Sequence, residues 1–337
     1  MQQHTRCTYS FMDASVTRRP VFVVGAGFSL AANTRYPLHP SIARPYPLAS
    51  DLALACFPNS SLEVGIEAAF DEAIKRHDFD PVRRLVDVIQ MADASFGAAK
   101  ATAPASPYGL LLDRFPDTQF ISFNYDALLE LLLLKRGLWN PLDGFGVPAE
   151  IEKANDQEGG PSKTLVIHLH GSTLLYSVRF EVQRESGSRW PVIQPREEPR
   201  FVFDPDALAA FFLPFERGLP GLAYQHPEFR IIAPIPDKRE AMTGGYTKLA
   251  YRRAVDLIRV ASDVVAIGYR FADCDRVSFQ PLLAAAAAAS IPVWVVDPEA
   301  VDIAGRLATS REHVRAEPIP MTFQQWVGHG FPGPGHP

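Results

Sequence analysis

The sequence predicts an α/β fold built on a parallel sheet, and three observations carry that reading. Most of its short apolar runs are continuous rather than alternating, as strands covered on both faces are. Helical patterns separate those runs, so strand and helix alternate along the chain. Four of the runs also end in polar or glycine-containing loops: Gly-Ala-Gly-Phe-Ser at 25–29, Ser-Phe-Asn-Tyr-Asp at 122–126, His-Leu-His-Gly-Ser at 168–172 and Gly-Tyr-Arg-Phe-Ala-Asp at 268–273. In a parallel sheet all strand C-termini share one edge, so these loops are expected to converge on one crevice. The predicted class is a doubly wound, Rossmann-like parallel sheet with a helical insert and a second, irregular insert.

The chain has 337 residues, 47% hydrophobic and 21% charged, enough for one large domain with inserts. A net charge of −5 and a pI near 6.0 give no overall footprint for nucleic acid. Cys7, Cys56 and Cys274 are scattered, which suits a reducing compartment and excludes a thiolate zinc ribbon. The polar start reads as no signal peptide, and the apolar runs 128–134 and 284–289 are too short for a bilayer. The expectation is a cytoplasmic protein without a membrane span. His226, His313 and His329 lack ligand spacing, so no metal site is expected.

In chain order, residues 1–18 form a flexible leader before a main domain at 19–327, and the first strand covers 20–25. Gly25 permits a tight turn and Gly27 a close backbone approach to a diphosphate, with a helix from about Phe28 aiming its N–H groups at that anion. Leu30 stands where a third glycine would be, and Gly-x-Gly also serves as a plain strand-to-helix turn. Prolines at 37, 40, 45 and 47 predict a loop over that turn, followed by helices near 48–57, 61–77 and 79–97. Asp80 reads as the N-cap of the last of these, with Pro81 in its first turn. The helical insert spans about 33–115. Asp51 opens a helix instead of ending a second strand, which disfavours an ordinary dehydrogenase.

Strands are expected at 119–123, 164–172 and 229–234, then 263–268 and 292–297, the last being the expected final core strand. The second insert, 174–228, carries Pro191, Pro195 and Pro199. A helix over 246–261 is read as amphipathic through Leu249, Arg253, Asp256, Leu257 and Val260, and another covers 276–289. Residues 328–337 read as a disordered tail.

The motifs Gly-Ala-Gly-Phe-Ser, Ser122-Phe-Asn124-Tyr-Asp126, His170-Gly171 and Gly268-Tyr269 come in the order of the sirtuin NAD-binding domain, and the sequence resembles prokaryotic sirtuin-like proteins over about 20–32, 117–136, 163–173 and 262–297. The resemblance implies that Gly25, Ala26, Gly27, Phe28 and Ser29 hold the NAD diphosphate and ribose. It implies that Asn124 and Asp126 approach the nicotinamide ribose and that His170 is a general base. Gly268, Tyr269 and Asp297 join the predicted cofactor-binding set. The chain departs from the deacylases: it has no cysteine between Cys56 and Cys274 for their zinc ribbon, no Pro-Asp-Phe-Arg stretch, and Ser122 in place of threonine. The implied activity is NAD hydrolysis to ADP-ribose and nicotinamide, with NAD as substrate and no metal, in antiviral defence. A homo-oligomer and a separate sensor or ATPase partner are expected with it.

Other readings stay open on the residues alone. His168 and His170 lie on one strand face, so pattern does not choose between them. Asn124 and Asp126 can cap the helix after them, Asp273 and Asp275 can cap the one at 276, and Asp297 can meet a ribose or start a helix. A non-catalytic NAD or ADP-ribose module and a deacylase or ADP-ribosyltransferase are the alternative functions.

Overall fold

Val21-Phe-Val-Val24 carries only branched and aromatic side chains, which suit a pleated strand covered on both faces. It forms β1 (Val21–Val24), entirely buried, inside a six-stranded sheet. The computed structural model describes residues 18–32, 46–58, 65–96, 106–140, 143–146, 150–151, 162–183, 192–203, 228–231, 234–235, 238–239 and 245–334.

After β1 come one helical turn, α1 (Ala26–Ser29), a 3-10 turn at Leu30–Ala32, and four helices: α2 (Ala49–Cys56), α3 (Ile66–Lys75), α4 (Asp80–Phe96) and α5 (Pro107–Arg114). These match the expected helical insert. Asp80 lies inside the first turn of α4 and is not its cap: Arg83 N–H donates to the Phe79 carbonyl, 3.0 Å away. Next are β2 (Gln119–Ser122), α6 (Leu128–Lys135), β3 (Glu150–Ile151), β4 (Val166–His168), β5 (Gly171–Gln183), β6 (Val192–Phe203) and β7 (Glu228–Ile231). The chain continues through α7 (Gly245–Val260), β8 (Val264–Ile267), α8 (Arg276–Ala288), β9 (Val293–Val296), α9 (Ala300–Ala308), β10 (Ala316–Ile319) and α10 (Phe323–Gly328).

The main sheet runs β10-β9-β8-β1-β2-β4, and every pair in it is parallel. Numbered by their own chain order, its strands read 3-2-1-4-5-6 from the β4 edge, the doubly wound Rossmann-like arrangement. The order reverses at β1: the chain moves out through β2 and β4, then returns to β8 on the other side. The C-terminal ends of β1 and β8 therefore flank the switch point where such sheets open a crevice. Beneath it, the Phe22 ring packs on Phe115, Phe120 and Trp326 at centroid distances of 5.3, 5.6 and 6.4 Å.

Four differences from the sequence reading have physical causes. The stretch read as one strand to Gly171 breaks after His168, and Gly171, at φ +84°, starts a strand of a second sheet. That sheet, β3-β6-β5-β7, occupies the segment expected to be irregular. Its prolines are tolerated because Pro195 and Pro199 border the register shift between Val178 and Phe180, where a ladder N–H is dispensable. The last core strand is β10, not β9; Glu317 and Pro318 disguise it, and an edge position accepts both. Helix α7 buries Ala250, Tyr251, Ala254 and Ile258, while Leu249 and Val260 are 44% and 61% exposed. Small residues one turn apart let the helix lie close to its neighbours, so alanine rather than leucine marks the inner face.

Phe331, in the stretch read as a tail, is buried against Phe115 and Trp326, whose indole N–H donates to the Pro332 carbonyl at 2.9 Å. Residues 1–17, most of the loop before Tyr46, and 204–227 lie outside the described residues. No described helix is long and apolar enough to cross a membrane.

Candidate functional site

The loops after β1 and β8 interlock. Gly25 N–H donates to the Ile267 carbonyl and Gly27 N–H to the Gly268 carbonyl, both at 3.1 Å. A Cβ on Gly25 would lie 2.6 Å from the Gly268 oxygen, and one on Gly27 would lie 2.7 Å from the Gly268 Cα. Gly268 itself sits at φ +57° with its own virtual Cβ 2.4 Å from the Gly27 Cα. All three glycines are thus demanded by loop-to-loop contact, before any ligand is considered. The helix expected from Phe28 is a single turn that starts at Ala26. The Phe28 side chain is turned into the core, 5.0 Å from the Tyr108 ring and 4.8 Å from Phe323.

Asn124 ties the β2 loop to the same turn. Its Nδ2 donates to the Gly25 carbonyl at 3.0 Å and to Ser29 Oγ at 2.9 Å. The Gly25 oxygen can only accept, so the amide's orientation is fixed and Oδ1 is the end left over. Among the described residues, Oδ1 makes no hydrogen bond. Ser29 in turn donates to Asp126 Oδ2 at 3.0 Å, and the Tyr46 hydroxyl donates to the same oxygen at 2.7 Å. Asp126 Oδ1 accepts the Leu128 N–H, the first of α6, at 3.1 Å, although Ala127 and not Asp126 stands at the N-cap.

A second buried acid, Asp93 of α4, accepts from Ala127 N–H at 3.0 Å and Thr173 Oγ at 3.1 Å. Burial raises the Asp93 carboxyl well above the usual range, and the nearby Asp126 charge raises it further. Asp126 is also raised by burial, against the pull of its donors Tyr46, Ser29 and Leu128. Tyr46 and Asp93 were not singled out from the sequence. Each lies in the helical insert far from any motif, so no local signal marks them.

The two histidines separate clearly. His168 engages both nitrogens: Nδ1 meets the Asn124 carbonyl at 2.9 Å, and Nε2 meets Glu130 Oε1. Burial alone lowers its affinity for a proton, but the Glu130 charge and hydrogen bonds raise it above the ordinary histidine value. It is a strut between β4, the β2 loop and α6. His170 points elsewhere, with Nε2 3.1 Å from Ser278 Oγ. Phe123 meets its ring edge-on at 5.2 Å. Burial, and then the Lys238 charge, lower its pKa to about 3, so the ring is neutral near pH 7. The expectation of a base titrating near neutrality is corrected for this arrangement. His170 also does not bond to Asn124 or Asp126; the structure holds it on the β8 side of β1.

Tyr269 crosses over the glycine turn and stacks on Phe123 from the far side, with ring centroids 3.9 Å apart and planes at 17°. Its hydroxyl donates to Asp275 Oδ2 at 3.3 Å. Of the predicted N-caps, Asp275 makes no side-chain capping bond. Asp297 does cap its turn, accepting the Glu299 N–H at 2.9 Å.

No protein-family model matches the sequence, and no curated protein matches it. Among solved structures the chain is similar to a Sir2 homologue, a serine-to-alanine mutant in complex with ADP-ribose. That likeness has 12% identity and a TM-score of 0.41, over 92% of this chain and 89% of that one. The sheet order described above stands independently of it.

The outer rim of the crevice carries a cation that the sequence reading passed over. Arg270, 58% exposed on its side chain, reaches Glu299 at 3.0 Å and Asp297 at 3.9 Å. It lies inside the Gly-Tyr-Arg-Phe-Ala-Asp loop, beside Gly268 and Tyr269 of the predicted set, so the signal was present. Ala26, Gly27 and Gly268 are the part-exposed members of the two loops, whereas Asn124, Asp126, Ser29 and Tyr269 are buried. Among the described residues, no group of three or more His, Cys, Asp or Glu is placed to hold a metal ion.

Proposed function

We propose that this chain binds NAD at the C-terminal edge of its sheet and hydrolyses the nicotinamide–ribose bond, releasing nicotinamide and ADP-ribose. One observation carries the reading. At the switch point the glycine turn is locked to the end of β8 and its loop by its own N–H groups and to Ser29 through Asn124, whose Oδ1 is left as an acceptor among the described residues. A rigid backbone edge with one fixed acceptor is what a dinucleotide with ribose hydroxyls would use. The order of the motifs along the sequence supports the same substrate.

The chemistry asks little of the protein beyond position. Nicotinamide attached to C1′ is already cationic, so it leaves without a strong acid, through an oxocarbenium-like transition state. The network Asn124–Ser29–Asp126–Tyr46 fixes the loop that would hold the ribose, and Asn124 Oδ1 can accept from a hydroxyl or from the attacking water. Arg270 is placed to meet a diphosphate at the rim. Holding reactants in register is worth up to about 7–11 kcal/mol, so positioning can supply much of the rate. We also propose antiviral defence by NAD depletion as the setting, in a homo-oligomer with a separate sensor or ATPase. That part rests on the motif resemblance.

A second reading, a non-catalytic NAD or ADP-ribose module, is favoured by one fact: the His170 ring is too weak a base near pH 7 to activate water as placed. Incubating the protein with NAD and following nicotinamide by chromatography decides between them. Release without any acceptor supports the hydrolase. NAD binding without release defeats it in favour of the module, and release only with an acylated or acceptor peptide defeats it in favour of a deacylase or transferase.

A further inference from the structure

Lys238 is 2% exposed, and a buried ammonium is costly unless it is paired. It comes from the stretch joining the second sheet to α7, and its partner is Asp275 Oδ1, at the N-terminus of α8. Asp275 stands where a capping residue would, yet it makes no side-chain cap bond. The same oxygen, Oδ1, lies 3.7 Å from His170 Nε2. One carboxylate oxygen therefore faces two cation-forming groups. Lys238 occupies it, and His170 bonds to the Ser278 hydroxyl at 3.1 Å instead.

We propose that Asp275 is the positioning carboxylate for the His170 ring, and that Lys238 holds it out of that role by occupying the shared oxygen. A His–carboxylate pair keeps its ring oriented and makes it a stronger base. With Lys238 withdrawn, His170 Nε2 can close on Asp275 Oδ1, and the ring becomes able to take a proton from water near neutral pH. Lys238 then acts as a latch on the site. Among the described residues, the other groups around the ring hold no opposing charge: Phe123 and Tyr125 from the β2 loop, and Ser278 of α8 with Tyr251 of α7 beside it. The neighbouring Cys274 thiol donates to Glu67 at 3.7 Å.

The proposal deepens the NAD reading, but its test reads the ring and not turnover, so the two can fail separately. The imidazole signals of the full chain are followed by NMR from pH 4 to 8, with His170 assigned by its loss in His170→Gln. In the wild type the His170 signal stays flat. In Lys238→Gln, which removes the charge and frees the shared oxygen, its midpoint rises by about one to three pH units, the effect of an adjacent opposite charge. Adding Asp275→Asn to that variant returns the signal to flat, and Lys238→Arg behaves as the wild type. Lys238→Met, of similar volume, replaces the glutamine variant if that one does not fold. A flat signal in both neutral variants overturns the proposal, and so does a rise that persists after Asp275→Asn. If nicotinamide release is measurable, its acid limb moves with the ring.

Discussion

Asn124 Nδ2 donates at once to the Gly25 carbonyl, 3.0 Å away, and to Ser29 Oγ, 2.9 Å away, so one side chain of the β2 loop sets the geometry of the turn after β1. Removing it takes one of two hydrogen bonds from each group, since the Gly25 carbonyl also accepts the Phe28 N–H at 2.9 Å and Ser29 Oγ also donates to Asp126.

Asn124→Ala is therefore expected to do two things. Stability falls by about 1–3 kcal/mol, the net worth of two buried hydrogen bonds, measured as a shift of the urea midpoint. Nicotinamide release is lost as well, because the free Oδ1 acceptor goes with the amide. A variant that keeps full stability and full release would show that the network positions nothing.

The sheet was legible because its strands are short, apolar and uninterrupted: β1, β2, β4, β8 and β9 all fall within the predicted runs. β10 was not, because an edge strand tolerates Glu317 and Pro318 and so loses the apolar signature. The strand-end residues Asn124, Asp126, His170, Gly268 and Asp297 were legible for a related reason, since a parallel sheet puts them on one edge whatever their separation in sequence. Tyr46, Asp93 and Lys238 were not, because they come from the helical insert and from the stretch before α7, whose path over the sheet no local pattern encodes. The two histidines show the limit most clearly: they sit two residues apart, and only the partners Glu130 and Ser278 distinguish strut from candidate base.

The contact between Gly27 and Gly268 predicts a graded response to added methyl groups. Gly268→Ala places a Cβ 2.4 Å from the Gly27 Cα at φ +57°, against backbone that cannot swing aside. Strain in the left-handed region of about 1–2 kcal/mol adds to overpacking of about 1–3 kcal/mol. Gly137→Ala, at φ +64° with nothing within 4 Å, bears the first cost alone. Thermal unfolding should rank Gly268→Ala well below Gly137→Ala. Equal losses would mean that the two loops do not touch.

Asp93 gives a pH-dependent prediction. Its folded pKa is raised above the unfolded value of about 3.9, first by burial and then by Asp126. Such a group contributes stability that is complete below the unfolded value and is lost as pH rises through the folded one. Asp93→Asn escapes that loss and keeps the acceptor for Ala127 N–H. Its stability relative to wild type should therefore climb as pH rises from about 4, the unfolded value, through the raised folded value. Denaturant midpoints taken from pH 4 to 8 test this, and a difference that does not vary with pH would contradict it.

His168 and His170 should give opposite pH slopes. The His168 pKa is raised, so its contribution is full below about 6.5 and is lost as pH rises through its folded value. His168→Gln leaves buried Glu130 without its charged partner, a loss of about 3–5 kcal/mol that should be largest below pH 6.5 and shrink above it. The His170 pKa is lowered to about 3, so its contribution is full above the unfolded value and is lost as pH falls. Between about pH 6.5 and 5 the unfolded chain takes up a proton that the folded ring refuses, worth about 2 kcal/mol over that interval. His170→Gln removes this penalty. It should be modestly less stable than wild type at pH 8, where the Ser278 bond is lost, and should gain on wild type as the pH is lowered. Unfolding curves of both variants at pH 5, 6.5 and 8 separate the two histidines. Parallel pH profiles would mean that strut and candidate base have been assigned to the wrong residues.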